Sequence, residues 1–180
     1  MQVLAFEPES LTFATLNRNI FLNHKADQIK AICLSLDDRD SLSFLNLKCF
    51  LSGNAYNTFN EELNFLGEKF APQFKQGSIG LTLDHFIELF KASVPNHVKI
   101  DVDGNEDKII RGMAKTLAHS ALRTVTVELT KSRDGHSHAI AKLEDLGFSI
   151  ANDPRYHVRS REQLGTQNFH FIRETSIVLA

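Results

Sequence analysis

The sequence predicts an α/β protein built around a largely parallel sheet with helices on both faces. Short apolar segments rich in β-branched residues alternate along the chain with segments of helical periodicity. The apolar segments are nearly continuous in hydrophobicity, which is typical of parallel strands buried on both faces. With 180 residues, 42% of them hydrophobic, the chain has the size of one ordinary domain. We therefore expect residues 1–180 to form a single domain.

In the first half of the chain, apolar segments at 2–6 and 29–36 predict buried strands that both end in acidic residues. Ser10 is a suitable N-cap for a helix between them, with a buried stripe formed by Leu11, Phe13, Leu16 and Ile20. Residues 42–51 are apolar and compatible with a strand, and they precede a polar loop at 53–57. The remaining segments of this half are expected to be a loop with a short helix at 60–78, a strand at 79–83 and a helix at 84–91.

The stretch VKIDVDGNEDKIIRG, Val98–Gly112, allows two interpretations. A calcium-binding EF-hand loop starting at Asp101 would use oxygen ligands at its first, third and fifth positions, and the sequence supplies them. The loop also needs a glycine at the sixth position and a bidentate glutamate at the twelfth. The sequence has Glu106 and Gly112 there instead, which excludes this interpretation.

The flanks of this stretch predict a strand, a tight acidic turn and a helix. Residues 97–102 are rich in β-branched residues and follow a Pro-Asn turn signal. Glu106 and Asp107 suit the first turn of a helix. The apolar stripe of that helix would be Ile109, Ile110, Met113 and Leu117. Further on we expect a strand at 124–129, a helix at 138–146, and a closing antiparallel hairpin of 148–151 with 168–173.

Four of the predicted strands end in acidic residues, which are Glu7, Asp37, Asp101 with Asp103, and Glu128. A single acidic strand end is usually a solvated cap or turn residue. Four at the carboxyl edge of one parallel sheet favour a ligand site, because ligands of open α/β sheets bind outside that edge. A carboxylate such as Glu7 can accept hydrogen bonds from both hydroxyls of a ribose.

Composition excludes several other classes of protein. A net charge of −2 gives no indication of a nucleic acid or an acidic membrane as partner. No apolar run approaches the roughly 20 residues of a membrane span, and the N-terminus lacks a signal-peptide pattern. Cys33 and Cys49 lie in apolar contexts without metal-ligand spacing, which predicts reduced core thiols in a cytoplasmic protein. The histidines show no metal-binding spacing, and His136 and His138 are expected on a solvated loop.

An ordered set of segments resembles the FkbM-type S-adenosylmethionine-dependent methyltransferases. The segments run from residue 3 to about residue 150 and are VLAFEPES, LNRNIFLN, ICLSLDD, TLDHF, VKIDVDGNEDKIIRG, VTVEL and LGF. The resemblance implies the class I methyltransferase fold, a Rossmann-like, mostly parallel sheet with one antiparallel strand near an edge. It also implies S-adenosylmethionine as cofactor and a small-molecule or sugar hydroxyl as methyl acceptor.

The same resemblance assigns roles to individual residues. Glu7 would bind the ribose hydroxyls of the cofactor, and Leu36 and Asp37 would flank its adenine. Asp101 would lie beside the methyl-transfer site, as the base that accepts the hydroxyl proton or as a residue that positions the acceptor. Two carboxylates without further ligands do not predict a cation at Asp101 and Asp103, so we expect no metal.

One feature of the family has no counterpart in the sequence. An acidic residue that binds ribose is usually preceded, roughly 20 residues earlier, by a Gly-rich turn that approaches the cofactor. Counting back from Glu7 runs off the start of the sequence, and no GxGxxG follows any later strand. We therefore expect a domain without the first strand and helix of the family, as a fragment or a frame assigned to an internal Met. The alternative is a non-catalytic remnant that binds at most a partner protein.

Three assignments stay open at this stage. Lys99 could pair with Asp101 or Glu128 near the site, or form a simple ion pair at the strand end. Glu128 could orient the acceptor or cap the edge of the sheet. The loop at 53–57 could line the pocket or be solvated.

Overall fold

The computed structural model describes residues 2–64, 66–130, 134–151 and 166–173. The strands are β1 (Val3–Phe6), β2 (Ile29–Ile32), β3 (Ser35–Leu36), β4 (Ser41–Leu47), β5 (Thr58–Phe59), β6 (Phe74–Leu81), β7 (His97–Ile100), β8 (Thr124–Thr130), β9 (Phe148–Ile150) and β10 (Thr166–Arg173). The helices are α1 (Ser10–Leu22), α2 (Leu83–Phe90), α3 (Glu106–Arg111), α4 (Ala114–Ala118) and α5 (Asp134–Asp145). The α/β class expected from the sequence is confirmed.

The strands within these ranges form three sheets rather than one largely parallel sheet. Their orders are β1-β2, β7-β8-β10-β9 and β3-β6-β4-β5. The pairs β1-β2, β3-β6 and β7-β8 are parallel, whereas the others are antiparallel. The fold is therefore mixed, and the expectation of a single parallel sheet is corrected in this respect.

The sheet β7-β8-β10-β9 carries the main hydrophobic core. Strand β10 lies between β8 and β9 and is antiparallel to both, so the other three strands run in one direction. This confirms the predicted antiparallel pairing of 148–151 with 168–173. On β8, Val125, Val127 and Leu129 are completely buried. They share one core with apolar residues of the helices, namely Ile109, Ile110, Met113, Leu117, Ala139 and Leu143.

The sheet β3-β6-β4-β5 differs most from the prediction. The strand expected at 29–36 is divided into β2 and β3, which pair with different partners. The segment 60–78, expected to be a loop with a short helix, includes most of β6, which pairs with β4 from Phe74 to Gly80. Gly80 in β6 leaves room for the ring of Phe59, because a Cβ there would lie 2.4 Å from a ring carbon.

Two helices begin or end differently from the prediction. Glu9, and not Ser10, caps α1, since its carboxylate accepts the backbone N–H groups of Leu11 and Thr12. The helix expected after Gly104 is interrupted at Gly112, and a second helix starts at Ala114. There the carboxylate of Asp84 accepts the N–H groups of Lys115 and Thr116 and so caps α4 from another element.

The surroundings of the two cysteines also differ from the prediction. Both thiols are unpaired, but Cys33 is exposed and Cys49 is intermediate, so neither is a core thiol. No helix among the described residues is both long enough and apolar enough to span a bilayer.

Candidate functional site

The predicted site acids follow residues that pack on a single hydrophobic core. Ile100, just before Asp101, belongs to this core, and Phe6 and Leu36, just before Glu7 and Asp37, pack against it. The core therefore anchors the strand ends that carry the three carboxylates. Among the described residues, no hydrogen bond or ion pair joins the side chains of Glu7, Asp37 and Asp101 to one another.

Glu7 lies at the carboxyl end of β1, where its backbone N–H donates to the carbonyl of Ile32 in the parallel neighbour β2. One carboxylate oxygen accepts the N–H of Glu9 at 2.8 Å, the only hydrogen bond of this side chain within the described ranges. Burial raises the pKa of Glu7, and the charge of Glu9 adds to this, while the bond from the Glu9 N–H acts in the opposite direction. The second oxygen is available to donors from a ligand.

Glu9, two residues further on, has a purely local role. Its carboxylate accepts bonds from the N–H of Leu11 at 2.9 Å and from the N–H and hydroxyl of Thr12 at 2.6 and 2.7 Å. Burial alone would raise the pKa of Glu9, but these bonds, together with one from Ser10, outweigh it and the pKa is lowered. Glu9 is thus fully engaged in capping α1, whereas Glu7 is not.

Asp37 follows β3 and is almost completely buried, with 2% of its surface exposed. Its Oδ1 accepts the N–H of Asp38 at 2.9 Å, whereas its buried Oδ2 accepts no hydrogen bond within the described part of the chain. Burial raises the pKa of Asp37; the charge of Asp38 adds to this, and the Asp38 N–H, Lys108 and Arg39 oppose it. A buried carboxylate oxygen without a partner is costly, so this atom fits a donor from a bound ligand.

Helix α3 packs directly on the backbone of Asp37. A Cβ at Gly112 would lie only 2.1 Å from the carbonyl oxygen of Asp37, so only glycine allows this approach. Arg111 reinforces the contact, because its guanidinium binds Asp38 at 3.0 Å and Asp107 at 2.6 Å. The helix that begins after the Asp101 turn therefore ends beside the Asp37 segment.

Asp101 is exposed and follows β7. The ammonium of Lys99 lies 2.6 Å from its Oδ2, so of the partners left open for Lys99 the structure selects Asp101. Ile100 is paired with Val127 in the parallel register, which places Asp101 level with Glu128 on β8. Glu128 itself lies within β8, opposite Asn168 of β10, and not at a strand end as expected.

The loop at 53–57 connects the start of α1 with the turn after β7. The N–H of Gly53 donates to the hydroxyl of Thr12 at 3.0 Å, and the N–H of Tyr56 donates to Oδ2 of Asp103 at 2.7 Å. Both Tyr56 and Asp103 adopt left-handed backbone conformations, with φ of 70° and 55°. The loop is therefore bonded to both α1 and the turn after β7.

A second region, an open cleft of about 380 Å³, lies beyond the ends of β3 and β6. Its lining is Asp38, Asp40, Thr82, Asp84, His85, Glu88, Arg111, Gly112 and Lys115. The charged groups there bind one another: His85 contacts Asp40, Arg111 contacts Asp38, and Lys115 contacts Glu88. The cleft contains none of the predicted site residues, and its charges are satisfied within it.

Sequence reasoning missed a buried pair formed by Glu106 and His136. Glu106 was expected in the first turn of a helix, where it lies, and His136 on a solvated loop, but the two residues are only 2% and 1% exposed. His136 lies in the first turn of α5, and its Nε2 lies 3.4 Å from Oε2 of Glu106. No local pattern signals this pair, because its burial arises from the packing of α3 against α5. No group of three His, Cys, Asp or Glu side chains in the described ranges could hold a metal ion.

Comparisons with known proteins are consistent with one family. The model of the methyltransferase FkbM domain matches residues 2–150. Methyltransferase 1 of Beauveria bassiana (strain ARSEF 2860) is 27% identical over 161 residues, covering 83% of this chain and 63% of the relative. Methyltransferase sdnD of Sordaria araneosa is 26% identical over 174 residues, covering 84% and 66%. The chain therefore spans about two thirds of the length of these curated relatives.

A solved structure is similar in fold. The crystal structure of the methyltransferase FkbM from Methylobacillus flagellatus KT superimposes with a TM-score of 0.58, covering 95% of this chain and 36% of that one. At 11% identity the similarity concerns the fold alone.

Proposed function

Because the chain belongs to the FkbM methyltransferase family, we propose that it is the core of an S-adenosylmethionine-dependent methyltransferase of the class I fold. The proposed reaction is O-methylation of a small-molecule or sugar hydroxyl by residues 1–180 acting as a single domain in the cytoplasm. The observation that carries the proposal is a pair of under-bonded carboxylates at strand ends, Glu7 and the buried Asp37.

The two carboxylates fit the nucleoside part of the cofactor. Glu7 has an oxygen available for the ribose hydroxyls, whose hydrogen bonds to a charged acceptor are roughly twice as strong as neutral ones. The unpartnered Oδ2 of Asp37 suits the amino group of adenine, and the partly buried Leu36 offers apolar contact to the ring. The cofactor, when bound, supplies the methyl group.

Asp101 is the proposed base for the acceptor. It is exposed and can reach a hydroxyl group, and the Lys99 ammonium at 2.6 Å fixes the orientation of its carboxylate. In the transfer, the acceptor oxygen would form its bond to the methyl carbon while the bond between that carbon and the cofactor's sulfur breaks, and Asp101 would accept the hydroxyl proton. General-base catalysis of this kind contributes roughly 10²–10⁴-fold, and the rest arises from holding the acceptor in line.

The alternative is a non-catalytic remnant of such a domain that acts at most as a protein-binding module. It is favoured by one feature of the described residues: none of their strands leads into a Gly-rich turn of the kind that approaches such a cofactor. The two functions differ in whether Glu7 and Asp37 contact the cofactor at all.

A titration followed by nuclear magnetic resonance separates the two functions. Isotope-labelled protein is titrated with millimolar S-adenosylmethionine, and the backbone amide shifts of Glu7, Leu36 and Asp37 are followed. Methyltransferase function predicts saturable changes at these amides, which Asp37→Ala abolishes and the exposed control Glu68→Ala preserves. If none of the three amides responds, the remnant is the correct description.

A further inference from the structure

The turn that carries Asp101 and Asp103 is held from inside the protein by one buried carboxylate. Glu106 is 2% exposed, and its Oε1 accepts the N–H of Val102 at 3.3 Å and the N–H of Gly104 at 3.1 Å. Gly104, with φ of 128°, has a conformation that L side chains rarely adopt. The Glu106 carboxylate thus accepts hydrogen bonds from two backbone N–H groups of the turn. It stabilises a turn whose backbone conformation is intrinsically unfavourable.

His136 lies beside the other end of this carboxylate. Its Nε2 lies 3.4 Å from Oε2 of Glu106, and both side chains are almost completely enclosed. Helices α3 and α5 lie very close together beside this pair. A Cβ at Gly135 of α5 would lie only 2.7 Å from Oδ2 of Asp107 in α3. Glu106 therefore links the turn to α5 and, through the core, to β8.

The turn is also bound to the loop at 53–57. Oδ2 of Asp103 accepts the N–H of Tyr56 at 2.7 Å, so the position of Asp103 determines where Tyr56 lies. Among the described residues, Glu106 has no direct bond to Tyr56, and the hydrogen bonds described here join the two through the turn that carries Asp103.

We propose that Glu106 is a positioning residue of the acceptor side of the site. It sets the location of Asp101 and, through Asp103, that of the Tyr56 loop, while His136 packs against its second oxygen. The catalytic meaning of this arrangement rests on the proposed function, but the mechanical linkage does not depend on it.

The linkage can be tested by amide hydrogen exchange in the absence of cofactor and acceptor. In Glu106→Ala, exchange should become roughly ten- to a hundredfold faster at Val102 and Gly104, the value for loss of a hydrogen bond to a charged group. It should also become several-fold faster at Tyr56, whose N–H is bonded to Asp103 and not to Glu106. Glu106→Gln retains the Oε1 acceptor without its charge, so exchange at all three amides should be slower than in Glu106→Ala and closer to the wild type.

Two controls keep the result specific. Asp84→Ala removes another carboxylate that binds backbone N–H groups, at the start of α4, and it should leave the three amides unchanged. Amides of β8 serve as the internal measure of global unfolding. Should Glu106→Ala fail to fold, Glu106→Asp keeps the charge but withdraws it by one methylene, and the same three amides should exchange faster.

Acceleration at Val102 and Gly104 with unchanged exchange at Tyr56 would show that Glu106 does not position Asp103, and the proposal would be wrong. The same holds if Glu106→Gln exchanges as fast as Glu106→Ala. Because the measurement contains no S-adenosylmethionine, a failure of cofactor binding leaves this result intact and concerns the proposed function alone.

Discussion

Glu7 and Glu9 show how two glutamates in one short segment can serve opposite purposes. The pKa of Glu9 is lowered because the first turn of α1 donates several hydrogen bonds to its carboxylate, whereas the pKa of Glu7 is raised by burial. The protein itself donates few hydrogen bonds to the Glu7 carboxylate, so this group is suited to binding a ligand. Side chains with shifted pKa values are concentrated at ligand and catalytic sites.

Loss of the Glu7 carboxylate should weaken cofactor binding. Hydrogen bonds to a charged group are worth roughly 1.5–3 kcal/mol, so Glu7→Ala should reduce the affinity for S-adenosylmethionine by roughly ten- to a hundredfold or more. In the amide-shift titration, the variant should not approach saturation where the wild type does. Wild-type affinity in Glu7→Ala would show that the ribose assignment is wrong.

The raised pKa of Glu7 also predicts how stability depends on pH. A carboxyl whose pKa is higher in the folded protein favours folding below its ordinary value of 4.5, and this contribution is lost as the pH rises through the folded pKa. Glu7→Gln cannot ionise and should gain stability relative to wild type between acidic and neutral pH. Urea unfolding at both ends of that range measures this, and exposed Glu68→Gln should show no such gain.

Replacing Asp101 should lower the rate of methyl transfer without changing the affinity for the cofactor. Asp101→Asn keeps the size of the side chain but cannot accept the hydroxyl proton, so methyl transfer should slow by roughly 10²–10⁴-fold. The dissociation constant of S-adenosylmethionine should stay nearly constant, since Asp101 is assigned to the acceptor. An equal loss in turnover and in cofactor affinity would place Asp101 with the cofactor instead.

At the scale of elements, the contact between α3 and the segment after β3 depends on one glycine. Gly112 has ordinary helical dihedral angles, so alanine is excluded there by the Asp37 carbonyl alone. Gly112→Ala should lower the free energy of unfolding by about 1–3 kcal/mol, as overpacking does. Gly77→Ala in β6 is the matched control, because a Cβ there meets nothing within 4 Å. Comparable losses in the two variants would refute the steric argument.

The elements that sequence predicted well are those with a local signal. The apolar segments before Glu7 and Asp101, and the pairing of 148–151 with 168–173, follow from composition and alternation. The start of β6 at 74–78 was missed, because it is defined by pairing with the distant β4. Only the end of β6 was predicted, as part of a strand at 79–83. The interruption of the helix at Gly112 and the burial of Glu106 also depend on residues that are distant in sequence. Local sequence patterns therefore cannot predict them.

At the scale of the whole molecule, the three sheets are joined by side chains rather than by strand pairing in the described ranges. The ring of Phe6 on β1 meets that of Phe86 on α2 edge to face, with centroids 5.0 Å apart. Gln76 of β6 bonds to the N–H of Ser10 at 3.0 Å and to the carbonyl of Pro8 at 2.6 Å. The Glu7 segment is thus held by contacts with two other elements.

This architecture predicts that the 180-residue chain binds S-adenosylmethionine weakly. The described residues offer ribose and adenine contacts but no Gly-rich turn of the kind that approaches the rest of such a cofactor. If the dissociation constant is about 1 mM, ligand at that same concentration raises the free energy of unfolding by about 0.4 kcal/mol. For a domain of this size that raises the melting temperature by only about 1–2 °C.

A micromolar site would behave very differently in the same measurement. At a ligand concentration about 1,000 times the dissociation constant, the stabilisation is about 4 kcal/mol, which corresponds to a rise of roughly 8–16 °C. Thermal unfolding followed by circular dichroism, with adenosine as a ligand matched in the nucleoside part, distinguishes the two cases. We expect small and similar shifts for both ligands, because the contacts proposed for Glu7, Leu36 and Asp37 involve only the nucleoside part that the two ligands share. A much larger shift with S-adenosylmethionine would mean that other residues of this chain bind its methionine end.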